Sequence, residues 1–230
     1  MNHDLATLRS RLPDGVLLET SAVHDATGEI CPEEQAMVAT AVDSRRFEFS
    51  SARVLAHKIL KQLGRNQGPL LSHPDRSPAW PQGVLGSLSH SRTQCAALIA
   101  EQKPQLLGLG VDVEDLRPMK PNLFAEILTR AEMECMTSTV PEDLHVAHVL
   151  TIFGIKEAVY KAMLPLGNQG LGFHAMEVDV LSDPLQPKVR PLADLQQRLP
   201  LGCLLQVLHH RQDKILLSVV ILQTSTRSTS

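Results

Sequence analysis

Residues 107–118 read LGLGVDVEDLRP, and no other stretch constrains the chain as tightly. Apolar residues and glycine lead up to two carboxylates, Asp112 and Glu114, one residue apart, with a third acid, Asp115, beside them. In an extended strand residues i and i+2 share a face. Asp112 and Glu114 therefore point one way while Val111 and Val113 pack on the other. Two like charges at this spacing repel, and burial raises the cost. A divalent cation relieves both, and carboxylate oxygens completed by water and substrate phosphates suit Mg²⁺. A solvent-facing strand edge accounts for the pair too, and for D-x-E alone that is the favoured reading. Asp115 lies on the opposite face if the strand continues, and is not a ligand on this reading.

The rest of the chain must bury such a strand. With 230 residues and 43% hydrophobic content, a sizeable core is available for one large domain or two small ones. Aromatics are 3%, with one Trp and one Tyr, so the core rests on Leu, Val, Ile and Ala. A net charge of −3 argues against a general nucleic-acid binder. The four cysteines lie far apart with no C-x-x-C pair, which argues against zinc and for reduced thiols in the cytoplasm. The N-terminus has no apolar signal core, and the longest apolar run, 215–222, is too short to span a bilayer.

Residues 16–24 read as a strand. Pro32 followed by Glu33 and Glu34 opens a helix, and Ser44 is a cap candidate for a second that stops at Gly64. Residues 65–82, rich in Pro, Gly and Ser, read as loop. Two strands around a polar turn follow, then the 107–118 strand. After residue 121 the pattern is helical over 122–136 and again from Pro141 to Met163, where Ile152, Ile155, Val159 and Met163 form an apolar face. Gly167, Gly170 and Gly172 mark a loop. FHAMEVDVL, CLLQVLHHR and KILLSVVILQ read as strands able to form an antiparallel sheet. The tail 225–230 reads as disordered. Each half runs helices then strands, so the fold class is α+β, built from two related halves, 1–106 and 107–224.

Three further stretches carry chemistry. In IFGIKEAVYKAM (152–163), Glu157 and Lys161 share a helix face, which in isolation is an ordinary ion pair worth about 0.2–0.5 kcal/mol; Lys156 alone reads as a solvated side chain. In GSLSHS (86–91), adjacent Ser89 and His90 lack the G-x-S-x-G elbow of a serine hydrolase, so His90 is either a phosphate ligand or a turn histidine. In RRFEFSSARVLAHK, Arg45, Arg46 and Arg53 lie along one helix. Guanidinium groups bind phosphate bidentately, although a solvated basic face is the default for any one of them.

Taken together and in order, RRFEFSSAR, SPAWPQGVLGSLSHS, LGLGVDVE and FGIKEAVYKA resemble the 4′-phosphopantetheinyl transferases of the surfactin-synthetase-activator and enterobactin-synthase-component-D type. The resemblance covers most of residues 45–165. It implies two pseudo-twofold-related α/β halves with coenzyme A and Mg²⁺ in the cleft between them, the first half binding coenzyme A phosphates and the second metal-binding and catalytic. It implies Asp112, Glu114 and Glu157 as metal carboxylates and Glu157 and Lys161 as catalytic, Lys161 facing the pyrophosphate. Ser89 and His90 fall at the ribose 3′-phosphate, and Arg45, Arg53, Arg76 and Lys156 complete the coenzyme A set. Leu123, Phe124, Met133 and Met136 lie in the family's carrier-contact segment, but core positions are the preferred reading for most of them.

The implied reaction moves the phosphopantetheine arm of coenzyme A to a serine of an apo acyl or peptidyl carrier protein of non-ribosomal peptide, siderophore, polyketide or fatty-acid synthases, releasing 3′,5′-adenosine bisphosphate. A cytoplasmic monomer with no nucleic-acid or membrane partner is expected. A metal-dependent phosphohydrolase and a non-catalytic carrier-protein or nucleotide-binding module are the alternatives.

Overall fold

The computed structural model describes residues 5–65, 68–167 and 170–224; the tail expected to be disordered lies outside these residues. The first half contains α1 (Leu5–Arg9), β1 (Val16–Ala22), α2 (Pro32–Met37), the long α3 (Asp43–Gln62), β2 (Val84–His90) and β3 (Gln94–Glu101). The second contains β4 (Leu106–Asp115), α4 (Phe124–Ile127), α5 (Arg130–Thr139), the long α6 (His145–Met163), β5 (Met176–Asp179), β6 (Lys188–Pro191), α7 (Ala193–Arg198), β7 (Cys203–Gln212) and β8 (Ile215–Thr224). The two main sheets have the orders β1-β3-β2 and β4-β8-β7, antiparallel throughout.

These orders expose a repeat. Strand, long helix and hairpin follow one another as β1-α3-β2-β3 and again as β4-α6-β7-β8, and in each half the last strand lies at the centre of the sheet. The fold is α+β with two like halves, as the resemblance implies, but the repeated unit opens on a strand, with α1 standing outside it, rather than on helices. β5 pairs with β6 in a small separate sheet and not with β7 or β8. The helical pattern over 122–136 is broken, because Thr129 and Glu132 form a capping box that starts α5 afresh. Ser44 does not cap α3; it lies inside the first turn, and Val42 is the N-cap. Gly64 ends that helix at φ +66°, a left-handed conformation that glycine adopts without steric cost.

Register explains the LGLG run. Gly108, Gly110, Asp112 and Glu114 share one face of β4, and α6 lies across it. A Cβ at Gly108 would overlap the carbonyl oxygen of Ala162, and one at Gly110 that of Ala158. At Gly154, one turn further back, a Cβ would come to 3.3 Å from Asp112 Oδ2. Four helical residues rise about 6.0 Å and two strand residues about 6.6 Å, so 162, 158 and 154 step along 108, 110 and 112 nearly in phase. The opposite face of β4, with Leu109, Val111 and Val113, packs towards Leu98 and Leu18 of the first sheet. Ile152, Ile155, Val159 and Met163 are buried as the helical spacing predicts. Phe124 and Met136 are buried in the core around α6, with Met133 packed against it.

Candidate active site

The other edge of β4 meets β2 through side chains instead of a backbone ladder. The Val111 N–H donates to Ser87 Oγ at 3.0 Å, and the Val113 N–H to Ser89 Oγ at 3.2 Å. Two serines one residue apart on β2 thus satisfy two amides one residue apart on β4. This accounts for GSLSHS and brings the two halves together at the acidic end of β4.

Ser89 is a junction. Its hydroxyl donates to Asp112 Oδ1 at 2.9 Å and accepts from Lys161 Nζ at 3.1 Å. Lys161 also donates to Asp112 Oδ1 at 2.6 Å and to the Val111 carbonyl at 3.1 Å. Its close partner is therefore Asp112 across the packed interface, not Glu157 one turn away. Asp112 Oδ2 is buried and has no hydrogen-bond partner. Burial, then the Asp112 charge, pushes the Glu114 carboxyl up to about 7, against a weaker opposing pull from Arg117. Burial also raises the Glu157 carboxyl, with Lys161 opposing and Asp112 adding to the rise. Asp115 faces elsewhere, accepting from the Arg92 N–H and the Thr93 hydroxyl at the β2–β3 turn.

Three carboxylates face the Lys161 ammonium here, and the only other nearby cation among the described residues is the mostly exposed Arg117, 3.9 Å from Glu114, so negative charge stays in excess in a mostly buried place. The orphaned Asp112 oxygen and the two raised carboxyls are what hard oxygen donors look like without a counter-ion, so the residues fit a divalent cation. Among the described residues one set of three potential donors lies mutually within 4.8 Å, and it is Cys31, Glu34 and His57 rather than these acids. That set is already satisfied. Glu34 accepts from the Cys31 N–H and thiol, the Leu70 N–H and His57 Nε2. Burial pushes Glu34 up, but hydrogen bonds led by His57 and Cys31 outweigh it and hold the carboxyl at about 2. The Arg53 guanidinium, 4.0 Å from Glu34, opposes any cation there.

A cleft of about 520 Å³ opens beside Lys161. Its walls include Arg76, Trp80, Gly86 and Ser87 from the first half and Tyr160 from α6. Arg76 is exposed in a turn at φ +68° and reaches the same cleft as Lys161. The Trp80 ring lies where a Gly86 Cβ would be, the nearest ring carbon at 2.6 Å, so this glycine makes room for the indole. At the end of β2, Arg45 Nη1 lies 2.5 Å from His90 Nε2, and Glu48 lies 3.3 Å from His90 Nδ1.

The remaining candidates sit deeper. Arg53 is 3% exposed, stacked 4.6 Å over the Phe49 ring and donating to Ser72 Oγ at 3.1 Å. Burial brings its guanidinium down to about 10. It ties the 70–72 segment to α3 and stands a layer behind Arg45. Lys156 is neither a solvated side chain nor a cleft ligand. It is 1% exposed, about 140° round α6 from Lys161, and donates to Glu132 Oε2 at 2.6 Å and the Ile127 carbonyl at 2.8 Å. A helical position one residue from Glu157 turns inward, and the partner that retains its charge lies 24 residues earlier in sequence. Glu48 and Ser87 escape a motif-based reading, although Glu48 lies three residues from Arg45, and the Ser87/Ser89 alternation marks a shared face.

Both halves match known sequences. The profile of the 4′-phosphopantetheinyl transferase N-terminal domain matches residues 33–100, and that of the 4′-phosphopantetheinyl transferase superfamily matches 108–212. The chain is 34% identical over 164 residues to 4′-phosphopantetheinyl transferase Svp of Streptomyces mobaraensis, covering 71% of this chain and 66% of that protein. It is 34% identical over 152 residues to 4′-phosphopantetheinyl transferase PptT of Mycobacterium tuberculosis, 66% of each. With enterobactin synthase component D of Salmonella typhimurium the identity is 31% over 122 residues, 51% of this chain and 48% of that one. The chain thus spans about two thirds of the first two relatives and about half of the third. Among solved structures, holo-[acyl-carrier-protein] synthase of Thermotoga maritima superposes with a TM-score of 0.42 at 20% identity, over 52% of this chain and 64% of that one. With matching profiles over three quarters of its length, the chain belongs to the 4′-phosphopantetheinyl transferase superfamily.

Proposed function

We propose that this protein transfers the 4′-phosphopantetheine arm of coenzyme A to a serine of an apo acyl or peptidyl carrier protein, releasing 3′,5′-adenosine bisphosphate. The observation that carries the reading is the convergence of Asp112 on β4, Ser89 on β2 and Lys161 on α6, joined by hydrogen bonds of 2.6–3.1 Å. Asp112, Glu114 and Glu157 would hold Mg²⁺, which when bound supplies charge neutralisation for the pyrophosphate, the dominant requirement in phosphoryl transfer. Lys161, at the wall of the cleft, stabilises the departing phosphate. Glu157 is the candidate to accept the serine proton, directly or through water. Arg45, Arg76, Ser89 and His90 take the remaining phosphate charge. Residues 1–106 thus serve phosphate binding, and 107–224 metal binding and chemistry.

Among the described residues no helix is long and apolar enough to cross a membrane. The cytoplasmic monomer expected from the sequence is part of this proposal, as are carrier domains of siderophore, peptide or polyketide synthases as acceptors. The test is incubation with coenzyme A, Mg²⁺ and an apo carrier protein, followed by intact mass spectrometry. The expected result is a gain of one phosphopantetheine arm, abolished in Asp112→Ala and Glu157→Ala variants that remain folded. Phosphate release with an unmodified carrier supports a phosphohydrolase instead, and no reaction at all supports a binding module. Full activity of either variant removes the carboxylate assignment.

A further inference from the structure

Glu48 is not assigned to the reaction, yet, nearly one turn beyond Arg45 on α3, it is the hub of the phosphate-facing group. It lies 3.6 Å from Arg45 and 3.3 Å from His90 Nδ1, with its side chain 18% exposed. Arg45 carries no acceptor, so the 2.5 Å contact with His90 Nε2 requires that nitrogen to present its lone pair. The ring proton then belongs on Nδ1, facing Glu48. The arrangement therefore defines one tautomer, with Nε2 turned to the guanidinium and Nδ1–H to the carboxylate.

We propose that Glu48 is a positioning residue that sets how His90 and Arg45 receive a phosphomonoester. This rests on the reading of His90 as the group at the 3′-phosphate of coenzyme A. When the phosphate arrives, Arg45 turns its N–H groups to it, and His90 takes a proton from solvent at Nε2 to donate to the same anion. The imidazolium so formed needs a counter-charge at Nδ1. The groups around the ring are Arg45 and Glu48 from α3, Lys161 from α6 and Asp112 from β4. Burial and Arg45 hold the ring neutral in the free protein, and Lys161 adds to them; Glu48 is the leading opposing charge.

A carboxylate beside an anion site also repels the anion, and distance decides which effect wins. Glu48 acts on Nδ1 across 3.3 Å, whereas a phosphate oxygen beyond Nε2 is roughly 8 Å from it. Attraction falls as 1/r, which favours the imidazolium about 2.4-fold for unit charges; a phosphomonoester carrying up to about two charges brings this down to roughly 1.2-fold, so support of the imidazolium still exceeds repulsion of the phosphate, narrowly. Removing the charge should thus weaken recognition of the 3′-phosphate and leave the remainder of the ligand untouched.

The experiment compares coenzyme A with 3′-dephospho-coenzyme A as donor for wild type, Glu48→Gln and Glu48→Asp. Glu48→Gln should raise KM for coenzyme A about tenfold, the size of one charged hydrogen bond, with kcat and both constants for the dephospho donor unchanged. Glu48→Asp should recover part of the loss. An unchanged or increased preference for coenzyme A in Glu48→Gln overturns the inference. A wild type that uses both donors equally overturns it together with the His90 assignment, whereas a wild type that transfers from neither overturns the proposed function. Should Glu48→Gln fail to fold, ¹⁵N NMR of wild-type His90 decides, because an Nε2–H tautomer in the free protein contradicts the geometry.

Discussion

Replacing Gly110 by Ala is the sharpest test of how this fold positions its acids. The added methyl would overlap the Ala158 carbonyl oxygen and come within 2.9 Å of the Ala162 backbone nitrogen. Both obstacles are helix backbone, so no rotamer change relieves them. Restoring ordinary contact requires α6 and β4 to part by on the order of 1 Å. Overpacking of this kind costs about 1–3 kcal/mol or more, and the upper end applies where main chain must move. For a chain of this size about 3 kcal/mol corresponds to a fall of roughly 6–12 °C in Tm. The same displacement carries Glu157 and Lys161 away from Asp112, and a 1 Å misplacement can cost about 10²-fold in rate. Thermal melting by circular dichroism and transfer to an apo carrier measure the two effects. Gly172→Ala is the control, since a methyl there meets nothing within 4 Å. A Gly110→Ala protein that melts within a degree of wild type and transfers at full rate refutes the helix-on-strand argument.

Other consequences are testable in parallel. Lys156→Met leaves the buried Glu132 carboxylate short of its cation, so a loss of about 3–5 kcal/mol is expected in urea unfolding; unchanged stability would show that Lys156 is not structural. His209 is buried beside Ser218, and burial, then His210, brings its imidazole down to about 4. The unfolded chain therefore binds the extra proton first, and stability should fall as pH drops from about 6.5 towards 4, by about 3 kcal/mol in total. His209→Gln should flatten that window, and an unaltered pH dependence would contradict the assignment. Ser87→Ala removes the acceptor for the Val111 N–H at the junction of the halves. It should cost about 1–3 kcal/mol, measured by chemical denaturation, and an effect below about 0.5 kcal/mol would mean that water replaces the hydroxyl.

Features governed by local periodicity were legible in the sequence. The alternation in VDVE places Asp112 and Glu114 on one face, and the 3.6-residue spacing of Ile152, Ile155 and Val159 defines the buried side of α6. Partners chosen across the fold were not. Glu157 and Lys161 satisfy the i,i+4 rule, yet Lys161 binds Asp112, because the close approach of α6 to glycine backbone brings that carboxylate within 2.6 Å. Lys156 resembles a surface lysine until Glu132, reached only through the α5 capping box, supplies its counter-charge. Arg45 and Arg53 look equivalent along their helix, but loop residue Ser72 covers one and leaves the other beside His90. β6 and α7 carry weak patterns of four and six residues and are recruited by packing.

The near match between helix and strand spacing also sets where this protein can change length. Between 108 and 112, adding or deleting one residue would turn both acids away from the glycine face, and between 112 and 114 it would put them on opposite faces. Between 154 and 157, one residue would swing Glu157 and Lys161 through about 100° relative to Gly154, and between 157 and 161 it would swing Lys161 alone. From the strand segment 108–114 to the helix segment 154–161 the constraint is looser: Glu132 must still reach Lys156 and Phe124 and Met136 the core, but the connections at 116–120 and 140–144 follow no such spacing. Insertions and deletions accumulating during divergence should therefore collect there, in the stretch between strand and helix, and leave the two short segments intact. Length variation in that intervening stretch can reshape the protein surface near the cleft without disturbing the geometry of the acids themselves.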